Sequence, residues 1–164
     1  MFNLGILTVS TSGYHGKRED TSGEAIRELL APPLYQVQRY EIVPDDDEVI
    51  QDRFKRWADD DGLDLVISTG GTGLSPRDVT PEACLAVIQR EVPGLAEAIR
   101  AQTLEKTPMA MLSRSVAGIR GDTLIVTLPG STKAVRECLE VIIPVLPHAL
   151  EILKDRAEGH PTGP

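Results

Sequence analysis

Positive charge is what this chain has little of. Seventeen lysines and arginines stand against 25 aspartates and glutamates, a net charge of -8. Nucleic acid needs a basic face to release counterions from its phosphates, so that class of partner is excluded. A small phosphorylated ligand is not excluded, because a local positive pocket or one magnesium ion suffices for it. Cysteine is scarce too. Cys84 and Cys138 fall inside expected helices, far apart and with no metal-ligand cluster around them, and read as two small buried hydrophobes. The three histidines, His15, His148 and His160, offer no pair with ligand spacing. No apolar run is long enough to span a bilayer. Met1-Phe2-Asn3-Leu4 carries neither a basic n-region nor a cleavage site, so the expected location is cytoplasmic. No internal repeat and no linker interrupts the chain.

What is present is enough for one domain with a real core: 164 residues, 41% hydrophobic and 26% charged. The domain is expected over 1–155, with 156–164 a flexible C-terminal tail. Asn3 to Val9 is an apolar, β-branched run and predicts a central strand. Tyr14 to Asp20 reads as a polar loop. Thr21-Ser22-Gly23-Glu24 fits a capping box with Thr21 as cap, opening a helix that Pro32-Pro33 stops. Tyr35 to Val43 predicts a second strand. Asp46 or Asp47 caps the next helix, which carries Ile50, Phe54 and Trp57. Leu63 to Ser68 predicts a third strand, and Glu82 to Arg90 a helix with Thr80 as N-cap and Pro81 at its first position. Pro93-Gly94 is expected to break that helix before another begins at Leu95. Val116 to Ile119 and Thr123 to Leu128 flank Gly121-Asp122 as a hairpin. A last helix runs from Lys133 and kinks or restarts near Pro144 and Pro147. Strands alternating with helices predict a three-layer α/β/α fold. Its central sheet is expected to be mostly parallel, with an antiparallel hairpin added.

The densest signal is Ser68-Thr69-Gly70-Gly71-Thr72-Gly73, running on to Pro76-Arg77-Asp78-Val79-Thr80. A strand, a glycine-rich turn and a helix start is the layout in which backbone N–H groups cradle an anion. It is neither a Rossmann fingerprint, since Pro76 stands where the last glycine belongs, nor a Walker loop, since no Gly-Lys-Ser/Thr follows. Asp78 has no place in anion capture alone. With Asp45, at the end of what is expected to be an adjacent strand, it forms a pair suited to Mg²⁺, whose ligands are carboxylates plus phosphate oxygens. Pro129-Gly130-Ser131 is a second strand-to-helix turn, and Ser113-Arg114-Ser115 another polar wall. Arg100 is expected to pair with Glu97 on one helix face.

Thr69-Gly70-Gly71-Thr72-Gly73 followed by Arg77-Asp78-Val79-Thr80-Pro81-Glu82-Ala83 resembles the signature of the molybdenum cofactor biosynthesis MogA/MoaB-like family. Asp20-Thr21-Ser22-Gly23, Val43-Pro44-Asp45, Ala110-Met111-Leu112-Ser113-Arg114 and Leu128-Pro129-Gly130-Ser131 follow in family order. The resemblance implies a molybdopterin-binding-like fold, trimeric or in some members hexameric. It implies an adenylyltransferase that uses Mg²⁺ and ATP to move AMP onto the terminal phosphate of molybdopterin, and a molybdate-insertion protein as partner. By matched position it implies Asp45 and Asp78 as the catalytic and metal-holding acids. It likewise implies Thr69, Gly70, Gly71, Thr72, Gly73, Ser113, Pro129, Gly130 and Ser131 as ligand-binding residues. The pattern departs at Val9-Ser10-Thr11, where members often have aspartate in the third place. The alternative to an enzyme is a scaffold that carries molybdopterin to a partner.

Overall fold

Two periodicities decide the layers. The strand β1 (Phe2–Val9) alternates Leu4 and Ile6 with Leu7 and Val9 on its two faces, and both sets are buried. A strand apolar on both faces belongs in the middle of a parallel sheet. In the computed structural model, which describes residues 1–157, β1 lies between β2 (Tyr35–Val43) and β3 (Leu65–Thr69). The order across the sheet is β2-β1-β3-β6-β5-β4, with β4 at Arg90–Glu91, β5 at Ala117–Arg120 and β6 at Thr123–Leu128. The first four strands are parallel, in a register that sets Ile6 beside Ile67 and Ile67 beside Val126. The hairpin β5–β6 is antiparallel as expected, and β4 adds a second antiparallel pair to β5.

Among the described residues seven helices cover the faces: α1 (Thr11–Tyr14), α2 (Thr21–Leu29), α3 (Asp47–Asp59), α4 (Thr80–Val87), α5 (Pro93–Leu104), α6 (Thr132–Ile142) and α7 (Leu146–Ala157). A 3₁₀ turn lies at Pro108–Leu112. Leu4, Ile6, Leu65, Ile67, Leu124 and Val126 pack with Ile26, Ile99, Val135, Leu139 and Leu150 from α2, α5, α6 and α7. Leu7, Val9, Val66 and Ile125 pack on the other face against Ile50, Phe54 and Trp57 of α3 and Ala83, Cys84 and Val87 of α4. The α3 spacing of i, i+4, i+7 makes one helical stripe, and burying each such side chain is worth about 1.5–3 kcal/mol. Both cysteines are buried and unbridged, and burial pushes the Cys138 thiol up to about 11 and that of Cys84 to about 12. No helix among the described residues is long and apolar enough to cross a membrane.

Several local expectations are corrected. Asp20, not Thr21, caps α2: its Oδ1 accepts the Gly23 N–H at 2.9 Å, and its Oδ2 accepts Thr8 Oγ1 and Tyr40 OH. A carboxylate there serves the helix end and the sheet edge together, which a threonine hydroxyl cannot. Burial, with Asp20 adding to it, raises the Tyr40 phenol and keeps it a donor. Thr80 does not cap α4. Its N–H reaches Gly71 O at 3.1 Å, which makes it the first helical residue and turns its hydroxyl inward without a partner. Pro93 opens α5 rather than breaking α4. The break is made earlier, where Gln89 N–H and Val92 N–H bond Ile119 O and Ala117 O and pull Arg90–Glu91 into the sheet as β4. Ser10 caps the one-turn α1 through Gly13 N–H, and α1 takes in Tyr14, the first residue of the expected polar loop. Of the tail expected over 156–164, the first two residues close α7, and 158–164 lie outside the described residues.

Candidate functional site

The chain turns one way from β1 to β2 and the other way to β3, and at such a switch ligands sit beyond the carboxyl ends of the strands. Four segments leave those ends side by side: Ser10 onward, Pro44-Asp45, the glycine loop after Thr69, and Pro129-Gly130. They line one cavity of about 540 Å³. The loops after β3 and β6 are stitched together. Thr69 Oγ1 donates to Pro129 O at 2.7 Å, Gly70 N–H donates to Leu128 O at 3.0 Å, and Ser22 Oγ donates to Gly130 O at 2.6 Å.

Glycine is required at two places in this loop. Gly70 (φ +100°) passes so close to β1 that a Cβ would run into the Val9 carbonyl oxygen, and a Cβ on Gly71 (φ +70°) would run into Thr80 Oγ1. The Gly70 N–H is engaged inside the sheet. Among the described residues the N–H groups of Gly71, Thr72 and Gly73 find no acceptor within the protein, so the amides left free for an anion are those of 71–73.

Both acids face this cavity. They do not end adjacent strands, since β1 stands between β2 and β3. Asp45 is half-buried, and its Oδ2 accepts Thr11 Oγ1 at 2.8 Å and Thr11 N–H at 3.2 Å. Asp78 is half-buried, and its Oδ2 accepts Ser75 N–H at 3.1 Å. Each carboxylate keeps Oδ1 without a protein partner among the described residues. No cluster of three metal-binding side chains is present there. That donor set fits Mg²⁺, which takes one or two carboxylates and completes its shell with water and phosphate oxygens.

A second cavity of about 540 Å³ lies on the far side of the glycine loop and shares Gly71, Asp78 and Gly130 with the first. Their chemistry differs. His15, Lys17, Arg18 and Arg77 line the first together with Glu19, Asp20, Asp45 and Asp78, whereas among the described residues the second has no lysine, arginine or histidine and is walled by Ile99, Met109, Leu112, Ala134 and Cys138. Ser113 lies on the second, its Oγ donating to Ser115 Oγ at 3.1 Å. Ser131 faces it too while capping α6 through Ala134 N–H. Pro129 lies on the second, Thr72 is buried on the same wall, and Thr69 on the first acts as a tie.

Two arginines hold this wall, and neither role is visible in the spacing of residues. Arg100 does not pair with Glu97; its Nη1 donates to Ser113 O and Ser115 O at 3.3 and 2.8 Å. Arg114 staples the glycine loop: Nε donates to Gly73 O at 2.8 Å, Nη2 to Asp78 O at 2.7 Å, and its N–H to Thr72 O at 3.0 Å. Glu82 pairs with the remaining arm, and that bond holds the Glu82 carboxyl below its usual range. Arg114→Met is expected to loosen residues 73–78 by about 1–3 kcal/mol, the cost of losing charge-assisted hydrogen bonds. Hydrogen exchange of the loop amides checks it, with faster exchange there and unchanged protection in β3 as the expected pattern.

An open α/β sheet carries free loop amides and a shared carboxylate between a charged cavity and an apolar one, at the carboxyl ends of its parallel strands. Residues 5–148 match the family described as "Probable molybdopterin binding domain", and the chain belongs to it. It is 41% identical over 153 residues to the molybdopterin adenylyltransferase of Helicobacter pylori strain J99, covering 92% of this chain and 87% of that protein. It is also 41% identical over 153 residues to the molybdenum cofactor synthesis protein cinnamon of Drosophila melanogaster. That match covers 93% of this chain but only 26% of the longer protein. Among solved structures it resembles the molybdopterin biosynthesis enzyme MoaB of Thermus thermophilus. There the identity is 57%, the TM-score 0.89, and the coverage 93% of this chain and 96% of that one.

Proposed function

We propose that this protein is a molybdopterin adenylyltransferase: it transfers AMP from ATP to the terminal phosphate of molybdopterin and releases pyrophosphate. The observation that carries the reading is the shared wall. Two cavities of unlike chemistry meet at Gly71, Asp78 and Gly130, and the free amides of 71–73 lie at that meeting point.

In the reaction an oxygen of the molybdopterin phosphate forms a bond to the α-phosphorus of ATP as the bond to the β-phosphate breaks. The nucleophile is already ionised, so no side chain need take its proton, and a site without a histidine at its centre can do this chemistry. The barrier is lowered by positioning and by charge neutralisation. The N–H groups of Gly71, Thr72 and Gly73 orient phosphate oxygens. Lys17, Arg18 and Arg77 attract the polyphosphate from the first cavity. Asp78 and Asp45 would hold magnesium, which when bound offsets the charge developing on the phosphates. Thr11 gives Asp45 two hydrogen bonds and so fixes the carboxylate in the site. The departure at Thr11 therefore leaves the Asp45 carboxylate held in place, as the enzyme reading requires. The proposal extends to what the resemblance adds: a homotrimer, with the hexamer as the other assembly, a cytoplasmic location, and hand-off to a molybdate-insertion protein.

The test is to incubate the protein with molybdopterin, ATP and Mg²⁺ while following pyrophosphate release and the mass of the pterin. A magnesium-dependent gain of one AMP is expected. Molybdopterin bound with no adenylylated product would overturn the enzyme reading in favour of the carrier.

A further inference from the structure

Glu137 is the one carboxylate lining the second cavity that the first does not share. It stands on α6 beside Cys138, half-buried, and its charge helps raise that thiol. The charges near it are already paired: Arg136 binds Glu28 at 2.6 Å, and Lys106 lies 3.6 Å from Glu140. Among the described residues Glu137 itself has neither an ion pair nor a side-chain hydrogen bond. A half-buried carboxylate facing an apolar cavity calls for donors from whatever fills that cavity.

The geometry points to Glu137 as the residue that reads the pterin of the substrate. A carboxylate accepts two parallel N–H bonds and donates none. The ligand must therefore offer two neighbouring N–H groups on a flat edge. A 2-amino-4-oxopyrimidine ring does so through its 2-amino group and N3–H. Adenine does not, because its amino group is flanked by ring nitrogens that only accept. The same contrast sorts the ligands. The pterin takes the apolar cavity with Glu137, and the ATP phosphates take the cavity lined by Lys17, Arg18 and Arg77. Thr72, Thr103, Thr107, Ser113 and Ser131 are the hydroxyl side chains on this cavity, and that of Thr103 is already bonded to Ile99 O at 2.6 Å. This assignment rests on the proposed activity and deepens it by naming what sets substrate choice.

The experiment compares 6-hydroxymethylpterin with 6-hydroxymethyllumazine, which has an oxygen in place of the 2-amino group, by fluorescence titration at pH 7. A site whose acceptor is left facing another acceptor rejects the analogue, so the parent protein should prefer the pterin by about tenfold or more. Glu137→Leu should bring the two affinities together, and Glu137→Gln, which keeps one acceptor, should fall between. Affinity for ATP should stay unchanged in both variants, which also shows that they are folded. A preference that survives in Glu137→Leu overturns the assignment while leaving the activity standing. A parent protein that does not distinguish the two compounds overturns it as well. If that protein also yields no product from molybdopterin and ATP, the activity falls with it.

Discussion

Asp78→Asn is expected to keep the fold and to lower adenylyl transfer by a factor on the order of 10²–10³, the range seen when one transition-state-stabilising group is removed. The substitution preserves shape. The asparagine carbonyl still accepts the Ser75 N–H, and the Arg114 staple grips the backbone of residue 78 rather than its side chain. What is lost is the negative charge on the wall common to both cavities, one of the two carboxylates that on the proposed function would hold magnesium. Stability should change by less than about 1 kcal/mol, as for a half-exposed loop residue outside the core. The check is single-turnover kinetics at saturating ATP and Mg²⁺ beside a urea melt. An unchanged turnover rate would remove Asp78 from its role. A large loss of stability would mean that the acid serves the fold instead.

Gly70→Ala is the second large effect, and it falls on the fold as well as the site. The residue sits at φ +100°, and the added methyl would press on the Val9 carbonyl oxygen, a backbone atom in the central strand that cannot turn aside. Left-handed strain and the displaced backbone together should cost about 3 kcal/mol or more. Because Gly70 N–H also bonds Leu128 O, a shift at residue 70 separates the loops after β3 and β6 and spoils both cavities. A urea titration should show a lower midpoint at unchanged slope. Gly94→Ala is the control: it stands in the first turn of α5 without positive φ, its added methyl meets nothing within 4 Å, and it should be neutral or slightly stabilising. A Gly70→Ala protein as stable as the parent would refute the close-approach account.

How much of this is legible in the sequence depends on how far each signal reaches along the chain. β1, β2, the β5–β6 hairpin and α3 each carry their own periodicity, so their sequence suffices. The glycine loop with Asp78 is likewise local. Elements of two to four residues have no period to read, which is why α1 and β4 escape. β4 exists only because Ile119 and Ala117 offer it acceptors from a segment nearly thirty residues away. Helix caps are misread where tertiary bonds choose the cap: Asp20 is recruited by Thr8 and Tyr40, and Thr80 by Gly71. Strand order lies beyond local pattern altogether, so the pattern sets Asp45 and Asp78 on neighbouring strands when β1 separates them. The Arg114 staple spans 36 residues, and the second cavity gathers α5, the 3₁₀ turn and α6 against the glycine loop. Its glycine-loop side, Ser113 and the Pro129–Ser131 turn are foreshadowed in the sequence, whereas the wall from α5 and the 3₁₀ turn is not.

Gly71, Asp78 and Gly130 form the partition between the two cavities and are seen from both sides. On the proposed function, in which each cavity takes its own ligand, a change on an outer wall, such as Met109 or Lys17, touches one of them alone. A change in the partition is read twice, once by each ligand. The outer walls are therefore where such a protein is free to drift and to acquire new preferences, whereas the partition admits only substitutions that two unrelated molecules tolerate together.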